Sequence, residues 1–289
     1  MKDRKQKIQY QKSIVKTLAL ILFLNFSFAQ NRDTSEVNTF RLGLVLGAGA
    51  GILTLAHLQQ YSSWWKGELT KFHFKDDLNQ VLQADKFGHA YFSYLISDLF
   101  GRALQWAGVE KNSALIWGGI GSLLFQTYVE IEDGFRPNLG FSTSDEIANF
   151  IGASFPYVRE KIKALQVLNY KMSIFPSEKF KSGAHRFIVD DYESLYFWLS
   201  FDVAQILKSK FFKIWYLDFF DIAIGYSVKK IDWNGNGKRE LFLAIDYDFT
   251  KIKTNLWLLR QIFHLFNYYH FPAPTLKIVP HLKFYPFKF

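Results

Sequence analysis

The 289 residues contain no cysteine. That excludes a disulfide framework, a thiolate zinc site and a lipid-modified cysteine, so attachment through an N-terminal lipid is not expected. Seven prolines leave room for long uninterrupted helices. Neither a Gly-x-Ser-x-Gly elbow nor a phosphate-cradling glycine loop occurs, so no nucleophile stands out and no cofactor is expected. An arginine-rich run is also missing. The formal charge is +9, yet residues 1–30 hold six Lys/Arg against Asp3, which leaves +4 for the rest. With so modest an excess and no reader motif, nucleic acid is not an expected partner.

What the chain has in abundance is apolar and aromatic surface: 49% hydrophobic residues, with 31 Phe and 15 Tyr. Such a composition suits a dense core and a membrane boundary alike. The basic residues 2–16 precede a short apolar run, Leu18 to Leu24, and small residues Ser27 and Ala29, the pattern of a cleaved secretory signal over residues 1–29. The run is short of the roughly 20 residues that a membrane span needs. Export to the cell envelope follows, with the outer membrane or periplasm favoured over the inner membrane.

The fold class expected is α+β, with a helical region over 30–165 and a β-rich, aromatic region over 166–289. Four apolar helices precede residue 165. Leu42 to Leu58 carries Gly43, Gly47 and Gly51 at four-residue steps, a spacing that lets helices approach closely, and it is just long enough to cross a bilayer. Phe87 to Trp106 places Asp98 and Arg102 four apart, ready to pair. Asn112 reads as the N-cap of Ser113 to Val129, where Gly118, Gly119 and Gly121 allow close packing. Thr143 with Glu146 reads as a capping box for Asp145 to Tyr157. These four are expected to form one bundle.

Beyond Lys171 the pattern shifts to alternation. Tyr216 to Val228 and Leu241 to Phe249 read as strands, Leu195 to Val203 and Leu276 to Phe289 as weaker ones, the last confined to an edge by Pro280 and Pro286. Between the two clear strands, Asp232-Trp233-Asn234-Gly235-Asn236-Gly237 partly imitates a calcium loop. Position 243 would then need a bidentate Glu and is Leu243, so a hairpin is the better reading. About four strands fall short of the eight at which single-chain barrels begin. A small sheet packed on the helices fits better, and closure against a second copy, a homo-oligomer, stays open.

Ionisable and amide side chains cluster in the apolar stretch from Asp85 to Phe155, where desolvating them calls for pairing, a wet cavity or a function. Asp85 and His89 share a helical face, as do Asp145 and Asn149, with Gly152 one turn on. Asp85-Lys86, His89, an acidic stretch with Gly134 and Arg136, then Asp145, Asn149 and Gly152 resemble the YfiM-like family of predicted envelope lipoproteins of unknown function. More distantly the order of residues is similar to that of VanZ-like membrane proteins. The resemblance implies a helical envelope domain with no established activity, and it covers about a quarter of the chain.

Two functional readings arise from these residues. In the first, Lys86, Glu130, Glu132, Asp133, Arg136, Asp145 and Asn149 converge to bind a membrane lipid or cell-wall component without turning it over. In the second, a hydrolase or transferase acts on a phosphorylated lipid or glycan, with His89 as general base oriented by Asp85 and with Arg136 and Lys86 holding the anion. One His with scattered carboxylates is a weak metal signal, so no metal is expected. A buried network that merely fixes the helix packing is the plainest alternative.

Overall fold

The computed structural model describes residues 36–208, 217–232 and 235–289. The signal sequence expected over residues 1–29 and the strand start at Tyr216 lie outside the described residues. Four long helices come first: α1 (Thr39–Ser63), α2 (Ala84–Trp106), α3 (Lys111–Gly134) and α4 (Thr143–Lys161). Two-residue strands β1 (Phe74–Lys75) and β2 (Phe141–Ser142) pair in parallel beside the ends of α3 and α4. A six-stranded antiparallel sheet then follows in chain order: β3 (Leu168–Ile174), β4 (Leu195–Phe201), β5 (Phe220–Lys229), β6 (Lys238–Tyr247), β7 (Ala273–Val279) and β8 (Lys283–Lys288). Helix α5 (Trp257–Phe266) lies between β6 and β7. The α+β class holds.

Helices α2, α3 and α4 pack closely because small residues remove the bulk between them. A Cβ at Gly152 would stand 2.0 Å from the Ala90 carbonyl oxygen, and one at Gly118 would stand 2.4 Å from that of Ser97. Buried hydroxyls cross the same seams: Ser97 donates to the Ala153 carbonyl at 2.8 Å and Ser122 to that of Ser93 at 2.7 Å. The Asp98–Arg102 pair forms at 2.7 Å. The caps differ from those expected. Ser142, not Thr143, caps α4 by accepting from the Asp145 N–H, while Glu146 instead accepts from Thr127. Glu110, not Asn112, caps α3.

The expected four-helix bundle is a bundle of three with α1 alongside. At its start, Asn38 N–H donates to the Ala107 carbonyl, and Val45 packs against Leu104 and Ala114. At its far end, His57 hydrogen-bonds Tyr128 at 2.6 Å. Just beyond, Trp65 is fully buried against Tyr128 and donates to Asp133 at 2.5 Å. Between these two pins, nothing lies within 4 Å of a Cβ built at Gly43, Gly47 or Gly51, so the glycine stripe serves no contact among the described residues. The physical reason is that α1 is apolar all round and so presents no single face to a bundle. Both α1 and α3 are long and apolar enough to cross a bilayer, but the best window of α3 is 39% buried and that of α1 only 6%. At 1.5 Å per residue, α1 runs about 37 Å, longer than the roughly 30 Å of a hydrocarbon core.

The sheet is curled. The outer edge of β3 is taken by the Tyr268–His270 segment, with Met172 N–H donating to the Tyr268 carbonyl and His270 N–H to that of Met172. Phe289, just past β8, stacks on Phe175, just past β3. Register puts Leu199, Ile224 and Leu243 in one row and Phe201, Ile222 and Ile245 in the next, all on the outward face. Helix α2 covers part of that face through Phe87, Tyr91 and Tyr94. The rest stays uncovered, Ile224 being 51% exposed.

The enclosed face carries a buried charged cluster beside an apolar one of Tyr196, Trp198, Ala223, Phe242 and Ala244. Lys171 of β3 reaches across to Asp246 of β6 at 2.7 Å, and His270 Nδ1 lies 3.0 Å from the other oxygen of that carboxylate. All three side chains are at most 1% exposed. Trp198 stacks on His270 with ring centroids 3.9 Å apart. Burial opposes ionisation of Asp246, but His270 and Lys171 outweigh it and bring its pKa down to about 2. Nearby Asp221 lacks such a partner. Burial, with Asp248 beside it, pushes its carboxyl up to about 7. Aliphatic side chains outside and buried charges inside depart from the usual arrangement of a soluble sheet, although Trp198, Ala223, Phe242 and Ala244 are enclosed as well.

Candidate functional site

The polar stretch assembles at the end of the bundle where α2 begins, α3 ends and α4 begins. The chain enters α2 through a tight turn in which Val81, Leu82 and Gln83 all take positive φ (50°, 56° and 67°). Left-handed backbone at three successive non-glycine residues is strained, and strain of this kind is held only where the surroundings over-determine it. Here the Tyr226 hydroxyl donates to the Leu82 carbonyl, and Arg239 donates to Gln83 at 2.7 Å. The turn delivers Asp85, Lys86 and His89 on the first coils of α2.

Lys86 is the centre. Its ammonium lies 2.7 Å from Asp77, 2.7 Å from Asp145 and 3.2 Å from Asp85. Asp77 also accepts from Ser142 at 2.6 Å and from Ser144 at 2.9 Å. Asp85 accepts from the Tyr192 hydroxyl at 2.5 Å. His89 Nε2 is 3.6 Å from Asp85 and 3.8 Å from Asp145, while Nδ1 is 3.0 Å from Asn149 Oδ1 and 3.7 Å from Glu130. Glu130 is held by the Ser142 N–H at 3.1 Å. Asn149 is fully buried among Ser93, Gln126 and Glu146.

Charge sets the protonation of the group. Burial works against a charged imidazole at His89, but Asp85, Asp145 and Glu130 outweigh it and raise its pKa above the ordinary value. Burial likewise opposes the Lys86 ammonium, and Asp85 and Asp145 more than restore it. Asp85 is lowered despite burial, by His89 and Lys86. Asp145 goes the other way: burial and the Asp85 charge push it up to about 6 against His89 and Lys86.

Of the residues singled out from sequence, Asp85, Lys86, His89, Glu130, Asp145 and Asn149 come together. Asp133 is at the edge of the group, within electrostatic reach of His89 but tied to Trp65. Glu132 and Arg136 stand apart and pair with each other at 3.4 Å. The expected Asp85–His89 hydrogen bond is replaced by a longer approach, because Tyr192 takes that carboxylate oxygen. Asp77, Tyr192, Ser142, Ser93 and Gln126 were not legible as members. A cavity of about 500 Å³, lined by Val81, Lys179, His185, Asp190 and Glu193 among others, shares Tyr192 with the cluster.

Asp85, His89 and Asp145 each offer a ligand atom, all within 4.8 Å of one another, a spacing that could hold a metal ion. The Lys86 ammonium already stands between two of these carboxylates. With that lysine ringed by acids, it has no free direction for a phosphate.

Residues 73–161 match a family described as predicted periplasmic lipoprotein (DUF2279). The match spans β1 to the end of α4 and so contains the cluster apart from Tyr192. It supports an exported, uncharacterised envelope protein, although these 289 residues carry no cysteine to take a lipid. No curated protein and no solved structure matches the chain.

Proposed function

We propose that the chain is a membrane-associated envelope protein that holds, without turning over, an ammonium-bearing lipid head group or cell-wall amine at the Lys86–His89 cluster. The observation that carries this reading is the charge balance. Five carboxyl groups, those of Asp77, Asp85, Glu130, Asp133 and Asp145, surround one lysine and one histidine; burial pushes Glu130 up to about 8, so it is largely neutral at pH 7, and the other four outnumber the two cations. A buried excess of negative charge is costly and favours a further cation. His89, with its side chain 21% exposed, sits at the rim where such a cation can arrive. The cavity that shares Tyr192 offers room beside it. The uncovered helix α1, with Tyr61, Trp64 and Lys66 at its end, fits a bilayer and its interface. Catalysis by His89 as a general base fits less well, since it needs a neutral imidazole and Asp85, Asp145 and Glu130 shift this one towards its protonated form.

The test uses the full chain in a neutral detergent and reads the melting temperature against short-chain lipids. Phosphatidylethanolamine should raise it, and phosphatidylcholine, whose quaternary nitrogen donates no hydrogen bond, should not. Asp85→Asn and Asp145→Asn should abolish the rise. An equal response to both lipids, or a rise that survives both substitutions, would sink the assignment.

A further inference from the structure

At the opposite side of the curled sheet's interior from Asp246, the enclosed face is basic. Register sets Lys229 opposite Lys238 and Lys277 opposite Lys283, and Lys288 follows on β8. Of these, Lys229, Lys277 and Lys288 lie within electrostatic reach of one another and of Glu240, which is 2.9 Å from Lys277. Among the described residues, neither Lys229 nor Lys288 pairs with a carboxylate. Lys229 donates to the Glu193 backbone carbonyl, and Lys288 donates to the Tyr196 hydroxyl at 2.8 Å. Both ammonium groups lie over the Tyr196 ring, at 4.4 and 4.1 Å from its centroid.

We propose that this lysine-lined mouth is a binding site for a phosphate-bearing group, held by Lys229, Lys277 and Lys288. Lys229, Lys277 and Lys288 repel one another even with Glu240 among them and Glu193 and Asp191 offsetting part of the charge at Lys229, and an anion between them reduces that repulsion and gains charge-assisted hydrogen bonds. Burial lowers the Lys288 pKa to about 8, with Lys229 and Lys277 adding to the effect, and Lys229 is brought to about 8 chiefly by burial. The aromatic floor supplied by Tyr196 keeps the two lysine stems in place for a ligand. Leu282, Phe284 and Phe287, in and beside β8, are exposed, so a phospholipid could set its head group in the mouth and its chains against this strand. The site is separate from the Lys86 cluster, whose charge is of the opposite sign.

The full chain in neutral detergent is titrated with inorganic pyrophosphate and, separately, with short-chain phosphatidic acid, and binding is followed by calorimetry. Binding of phosphatidic acid alone identifies a lipid head group, and binding of both identifies a site open to free phosphate groups; either outcome supports the site. Lys229→Gln with Lys288→Gln should weaken binding at least tenfold. The same double variant should melt no lower than the parent without ligand, since it removes two like charges. Asp85→Asn should leave anion binding unchanged, which separates this site from the amine site. The proposal is overturned if neither anion binds the parent, or if the double variant binds as tightly as the parent does. It is overturned equally if the double variant loses its fold, which would mark the lysines as structural clamps on Tyr196.

Discussion

Asp246→Asn should lower the unfolding free energy by about 3–5 kcal/mol, the cost of removing one partner from a buried ion pair. The carboxylate serves Lys171 and His270 together, and all three side chains are cut off from water. Without it the Lys171 ammonium keeps the Tyr247 carbonyl, at 2.7 Å, and only the more distant charge of Asp221. The pH dependence follows from the depressed carboxyl. Its stabilisation is complete above the ordinary aspartate value near 3.8 and is lost as pH falls through about 2. The variant's deficit should therefore be constant from pH 5 to 8. Chemical denaturation of the parent, Asp246→Asn, and Asp246→Asn with Lys171→Met gives the check. The double variant should recover much of the loss, because an unpaired charge no longer stays buried. A deficit below about 1 kcal/mol would mean that water reaches the interior of the sheet and screens the pair.

Lys86→Met should cost a comparable amount, about 3–5 kcal/mol at pH 8, but with a strong dependence on pH. The ammonium neutralises Asp77, Asp85 and Asp145 at once. Removing it raises all three carboxyls, and Asp145 already sits at about 6 with the lysine present. A carboxyl raised above its unfolded value binds protons more readily when folded, so its penalty grows as pH rises from about 4 and fades in acid. The variant should thus lie furthest below the parent at pH 8 and approach it near pH 4.5. Melting temperatures of both proteins across that range decide the matter, and a deficit that does not change with pH would remove Lys86 from the centre of the charge balance.

Much of the architecture was legible because it rests on local signals. Long uncharged stretches bounded by Gly and Pro gave the four helices, and alternation gave β5 and β6. Strand β3 was missed although Leu168, Tyr170, Met172 and Ile174 alternate, because it begins a few residues after α4 and reads as the tail of that helix. The separate status of α1 was also hidden, since a helix apolar all round looks the same in lipid, in a bundle or beside one. Alternation along a strand gives two faces without saying which is inside. The inward placement of Lys171, Asp246 and Lys277 is therefore seen only in the fold.

The site was legible in part for a similar reason. Asp85, Lys86, His89, Asp145 and Asn149 lie at helical spacings in one stretch, and the folded α2 and α4 bring them together. Glu132 and Arg136 satisfy each other at i, i+4 and so take no part. Tyr192 reaches Asp85 across 107 residues, and Asp77 comes from a loop with no periodic pattern. No spacing rule announces such contacts. Their consequence is chemical: they make the cluster richer in acid and turn Lys86 from a candidate phosphate ligand into an internal counter-ion.

If the cluster is, as we propose, a net-anionic pocket built for a cation, the imidazole of His89 reports on it directly. Nitrogen NMR of the full chain in detergent, with the signal assigned through His89→Gln, should show a doubly protonated ring at pH 7 that titrates above the ordinary histidine value near 6.5. Saturating phosphatidylethanolamine should bring that titration down, because a second cation then shares the same carboxylates. A His89 that is neutral at pH 7 and unmoved by the lipid would contradict the account and return the general-base reading to first place.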